Sequence, residues 1–154
     1  MEHVKLAALL AKAGRDIEST VVGRSMGRTL PEGTRIRIRA GAADAIGLGT
    51  VVAVAAGEMI FAHRVVGVAR GYVVLRGDAA LLCDEPVAVS QLIGVVEACN
   101  DGTGWRPLPP PSREVRRISE LQRRAILGAL GIHIALARGF ARLCMRVARR
   151  GGVS

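Results

Sequence analysis

The sequence is short of aromatics, lysine, histidine and cysteine, and each shortage closes off a class of protein. Two Phe, one Tyr and one Trp among 154 residues, with 50% hydrophobic residues, leave material for one ordinary domain core and little more. Three cysteines, Cys83, Cys99 and Cys144, are too few and too scattered for a disulfide framework or a zinc site. A reducing, cytoplasmic compartment with no metal and no cofactor is therefore expected. No apolar run approaches the roughly 18 to 20 residues of a membrane-spanning helix. Lys5, Lys12, Arg15 and Asp16 break the opening segment and leave only Leu6 to Ala11 apolar, short of the roughly 7 to 15 residues of a signal-peptide core. Charged residues at 23% argue against a wholly disordered chain.

What is present is arginine, unevenly placed. The formal net charge is +9, and all of it lies in Arg106 to Ser154, where eleven Arg face only Glu114 and Glu120. From Met1 to Trp105, eleven basic and eleven acidic residues cancel. The boundary carries Asn100-Asp101-Gly102-Thr103-Gly104 and then Pro107-Leu108-Pro109-Pro110-Pro111, turn-formers followed by a stiff spacer. Four segments follow from this: an N-terminal helical stretch over 1–19, a β-rich body over 20–99, a linker over 100–112 and a basic helix over 113–150.

The body reads as strands. Thr34 to Arg39 alternates apolar and charged residues with the period of a half-buried strand. Thr50 to Ala55 and Ile60 to Val68 are β-branched runs bounded by glycine, and Tyr72 to Leu75 follows a tight Ala69-Arg70-Gly71 link. Leu92 to Ala98 adds another strand. Short strands with no helical pattern between them predict a small antiparallel sheet or barrel, mainly β.

Serine nucleophiles need a base able to accept the hydroxyl proton. Both lysines, Lys5 and Lys12, precede the body, and of His3, His63 and His133 only His63 lies within it. A serine enzyme built on this body would have His63 as its base.

Four segments carry a resemblance. Val21-Val22-Gly23-Arg24-Ser25-Met26-Gly27-Arg28-Thr29-Leu30-Pro31-Glu32-Gly33 is similar to the nucleophile segment of type I signal peptidases and the related self-cleaving repressors. Gly47 to Val54 resembles that family's Gly-Asp-Val-Val strand. Phe61-Ala62-His63-Arg64-Val65-Val66 resembles its base segment in the archaeal and endoplasmic-reticulum branch, where a histidine stands in place of lysine. Leu75-Arg76-Gly77-Asp78, with Asp84-Glu85-Pro86-Val87 beyond it, resembles the Lys-Gly-Asp box and the second acid, and Ile93 to Val96 the closing strand. The pattern is departed from at Arg28, where proline is usual, and at Thr34 and Thr50, where acids are usual.

The resemblance implies a serine endopeptidase that processes a peptide or preprotein. Ser25 is then the nucleophile, His63 the base and Asp84 the orienting acid, with the backbone N–H of Ser25 donating to the oxyanion. Asp78 is the alternative acid, expected instead to hydrogen-bond its own turn. Met26 and small strand residues would line a groove for an extended substrate. Two other functions stay open: a self-cleaving regulator, with Ala13-Gly14 as the bond, and a non-catalytic peptide-binding scaffold. Cys83 is expected to be a small buried filler.

In the tail, Ile118, Leu121, Ile126, Leu127, Leu130, Ile134, Leu136, Phe140, Leu143 and Val147 recur at helical spacing. Arg138, Arg142, Arg146 and Arg150 fall four apart, and Ala125 to Ala137 is free of charge. A helix packed on its own domain or a partner, and one lying peripherally on a membrane, both fit. Nucleic acid fits least, since interleaved aromatics are missing.

Overall fold

The computed structural model describes residues 10, 13–41, 45–56, 59–109 and 117–150. Eight strands form one antiparallel sheet that curls into a half-barrel. They are β1 (Ile17–Thr20), β2 (Arg35–Ala40), β3 (Val51–Ala56), β4 (Met59–Ala69), β5 (Tyr72–Arg76), β6 (Val87–Ala88), β7 (Leu92–Asn100) and β8 (Arg106–Pro107). Their spatial order is β1-β2-β7-β3-β4-β5-β6, with β8 added to β7. Two helices follow, α1 (Arg117–Ile132) and α2 (Ile134–Arg150).

The alternation on β2 does what a two-sided strand requires. Ile36 and Ile38 are buried, while Arg35 and Arg37 reach Glu18 at 2.6 and 3.0 Å and Arg39 reaches Glu97 at 2.9 Å. In β3 both faces are covered: Val51 and Ala53 pack with Ile36, Ile38 and Ile93, and Val52 and Val54 pack with Val65, Val73 and Leu75. That is why β3 reads as an unbroken apolar run. The β4–β5 hairpin closes through Arg70 and Gly71, both at positive φ (50° and 76°), the two-residue turn that matches strand twist. A third cluster, with Val74, Cys83, Ile126, Leu130, Ala137 and Ala141, joins the sheet to the helices.

Three strands were not expected. β1 occupies Ile17–Thr20, inside the stretch read as helical, and of that helix only Leu10 lies among the described residues and is helical. β6 and β8 span two residues each, and β8 pairs Arg106 with Cys99 in the stretch read as a linker. Such short elements carry no period of their own; pairing with a neighbour makes them strands.

The single C-terminal helix expected over 113–150 is two helices. His133 interrupts it and begins the second: its Nδ1 accepts from the Ala135 N–H at 3.1 Å and its carbonyl accepts from Leu136 at 3.1 Å. A side chain that serves a free N–H at a helix start favours a break there.

α2 also turns the opposite way to the one its large residues suggest. Ala137 and Ala141 are fully buried, while Leu136, Phe140, Leu143 and Val147 are exposed. In α1, Gln122 is buried with Ile126 and Leu130, and Leu121 points to solvent.

Candidate active site

Ser25 sits on a tight double turn, where the Gly27 N–H donates to the Arg24 carbonyl (3.0 Å) and the Thr29 N–H to the Met26 carbonyl (3.2 Å). The segment after β5 presses against this elbow. The Ser25 carbonyl accepts from the Ala79 N–H at 2.9 Å. A Cβ on Gly77 would lie 2.4 Å from the Ser25 carbonyl oxygen, so only glycine fits there. Gly27 has a φ of 53°, and a Cβ on it would come within 3.0 Å of the Ala79 Cβ.

His63 is on β4, paired across from Val52, and its side chain is 11% exposed. Its Nε2 lies 2.7 Å from the Ser25 hydroxyl, and its Nδ1 lies 2.5 Å from Asp84. An imidazole carrying its proton on Nδ1 donates to the carboxylate and leaves Nε2 as an acceptor for the hydroxyl. The ring of Phe61 meets His63 edge to face, with centroids 5.1 Å apart, and walls one side. Three residues from the elbow, a central strand and the loop before β6 thus form one hydrogen-bonded chain. That chain is able to draw the proton off the hydroxyl as the oxygen attacks a carbonyl.

Asp78 has another task, and not the local one expected of it. Arg64, the residue after His63, holds its carboxylate with Nε at 2.8 Å and a terminal nitrogen at 2.7 Å, and Thr29 donates to it at 2.6 Å. The same guanidinium donates to the Gly49 carbonyl at 2.7 Å. Asp78 therefore ties the elbow to β4 rather than closing its own turn. Burial alone would favour the neutral acid, but hydrogen bonds from Arg64 and Thr29, with the charge of Arg64 and Arg76, outweigh it and hold the carboxyl below its ordinary value.

Asp84 is fixed through its backbone. Its N–H donates to the Leu75 carbonyl at 2.8 Å. The preceding residue is gripped by α1: the Cys83 N–H donates to Gln122 Oε1 at 2.6 Å, and Gln122 Nε2 donates to the Cys83 carbonyl at 3.4 Å. Arg138 donates to the Pro86 carbonyl at 3.4 Å and Arg142 reaches Glu85 at 2.8 Å, so both helices hold the loop. Nothing in the sequence marked Gln122 except that a polar residue stands four before Ile126, on the buried side. The Cys83 thiol is buried, and burial pushes it up to about 12, so it is an inert filler.

Beside Ser25 is a cleft of about 20 Å³, lined by Thr20, Val21, Met26, Ile36, Ile60 and Ala62 among others. β5 pairs with β4 only from Arg64 onward, so the Met59–His63 half of β4 pairs with β3 alone among the described residues. An open strand edge therefore runs beside the hydroxyl. Among the described residues no group of three or more His, Cys, Asp and Glu is placed to hold a metal ion.

No family model matches the chain, and no curated protein matches it with significance.

Proposed function

We propose that the chain is a serine endopeptidase of the signal peptidase type, acting through Ser25, His63 and Asp84. The observation that carries this reading is the hydrogen-bonded chain from the Ser25 hydroxyl through both nitrogens of His63 to Asp84. The order of the four sequence segments agrees with it.

In this mechanism the Ser25 hydroxyl attacks a peptide carbonyl while His63 Nε2 takes its proton. Asp84 keeps the ring in the tautomer that accepts and steadies the imidazolium. The Ser25 backbone N–H donates to the oxyanion, a contribution of about 3 kcal/mol to the barrier where such donors have been removed. The imidazolium then returns the proton to the leaving amine, and water releases the acyl group by the same path in reverse. The substrate lies extended along the open edge of β4, adding a strand. The cleft lined by Val21, Met26, Ile36 and Ala62 takes a small side chain beside the cut.

The test is cleavage of a peptide library by the purified chain. Ser25→Ala and His63→Ala are each expected to abolish cleavage while the circular dichroism spectrum and melting temperature stay those of the parent. Full activity in either variant would overturn the mechanism.

A further inference from the structure

Six of the ten large hydrophobic side chains exposed among the described residues sit on the two helices: Leu121, Ile132, Leu136, Phe140, Leu143 and Val147. Four of them recur at intervals of four, three and four residues along α2, so they share one side of it. Leu136 is 56% exposed, Phe140 37%, Leu143 57% and Val147 61%, a continuous apolar stripe open to solvent. A helix that packs only on its own domain turns its large residues inward. Here α2 is seated on the fold by Ala137 and Ala141 and shows its large residues outward.

The same helix carries Arg138, Arg142, Arg146, Arg149 and Arg150 and no acid. Arg146 stands three residues after Leu143 and Arg150 three after Val147, so cations border the stripe. No helix among the described residues is long and apolar enough to cross a membrane. An apolar stripe beside a cationic arc on a helix of this length is built to lie along an interface.

We infer that α2 docks the protein on an anionic lipid surface, with Leu136, Phe140, Leu143 and Val147 entering the acyl boundary and the bordering Arg146 and Arg150 meeting headgroup phosphates. The other occupants use half of this surface. A second copy seated on the stripe would give the bordering Arg146 and Arg150 no anion. A nucleic acid would engage the arginines and leave the stripe in water. A bilayer of acidic lipid matches both. The inference is independent of the cleavage chemistry.

The experiment is co-sedimentation of the full chain with vesicles of phosphatidylcholine alone and of phosphatidylcholine mixed with phosphatidylglycerol. Retention is expected on the mixed vesicles only, weakening as salt rises. Phe140→Ser with Leu143→Ser should lower the partition coefficient at least about tenfold. Arg146→Gln and Arg150→Gln should each lower it roughly fivefold. These positions are exposed, so the melting temperature should hold in each variant, and the arginine pair carries the test if the apolar pair does not fold. Ser25→Ala should bind vesicles like the parent, which separates failure of this inference from failure of the peptidase reading. Binding to neither vesicle, equal binding to both, or binding indifferent to the apolar pair and the arginine pair would each overturn it. So would retention of duplex DNA, or a dimer by light scattering that Leu143→Ser dissolves, where vesicles are not bound.

Discussion

On β2, isoleucines point into the core and arginines point out to glutamates; on α2, alanines point in and leucine, phenylalanine and valine point out. The sheet buries most of its large apolar groups, in part against Ile126 and Leu130 of α1 and the alanines of α2, and residues 1–105 balance their charge. The helix pair leaves the large residues of α2 exposed, and it carries +7 of the net charge of +9. A region whose burial and charge close on themselves is suited to hold chemistry in a fixed geometry. A region that leaves both open is suited to meet something else. The two meet in the core around Val74 and Ile126 and at the loop of residues 83–86, which the sheet holds through the Leu75 carbonyl and His63 and the helices by side chains.

The contrast is broken if that loop is not part of the chemistry. Asp84→Asn leaves the shape of the site and removes the preference for the accepting tautomer, and a loss on the order of 10⁴-fold in kcat is expected, as for the comparable change in other triads. Peptide cleavage with KM and kcat resolved checks it. A drop below about tenfold would take the orienting role from Asp84.

Next in size is a change inside the sheet's own frame. Asp78 and Arg64 are 8% and 6% exposed at their side chains, so Asp78→Ala strands a guanidinium charge. A cost of about 3 to 5 kcal/mol in urea unfolding is expected. Its pH signature has a definite sign. The folded Asp78 carboxyl lies below the ordinary value of 3.8, so its contribution to stability is present above that value and is lost as pH falls through the lower folded one. Stability curves of the parent and of Asp78→Asn should keep a constant gap above pH 3.8 and converge as pH falls well below it.

The smallest effect sharpens the contrast most, because it crosses from one region to the other. Gln122 hydrogen-bonds neither Ser25 nor His63, yet it pairs with both the N–H and the carbonyl of Cys83. Gln122→Ala should cost about 1 to 3 kcal/mol of stability through the loss of its two hydrogen bonds to Cys83. If Asp84 is held through that residue, kcat should fall about tenfold with KM unchanged. A purely structural role would lower the melting temperature and leave kcat alone at temperatures where the variant is folded.

The strands over Arg35–Ala40, Val51–Ala56, Met59–Ala69, Tyr72–Arg76 and Leu92–Asn100 were legible within a residue or two, because alternation and β-branched runs are local properties. β1, β6 and β8 were not, since two to four residues carry no period and become strands only by pairing. Ser25, His63 and Asp84 were legible as a set through the order of their segments, and the structure brings them within hydrogen-bond reach. The partners of Asp78 were not: Arg64 is fourteen residues away, and only the register of β4 against β5 puts it there. Which face of each helix turns inward was not legible in the sequence: on α2 it is the alanines, and on α1 a glutamine shares it with Ile126 and Leu130.

The grip of Gln122 on a single residue has a mechanical corollary. Peeling α1 from the sheet would release the peptide before Asp84 while every strand stays paired. On warming, cleavage of a test peptide should therefore fade before the sheet melts, and a surface that held the helices down would raise the temperature at which it fades.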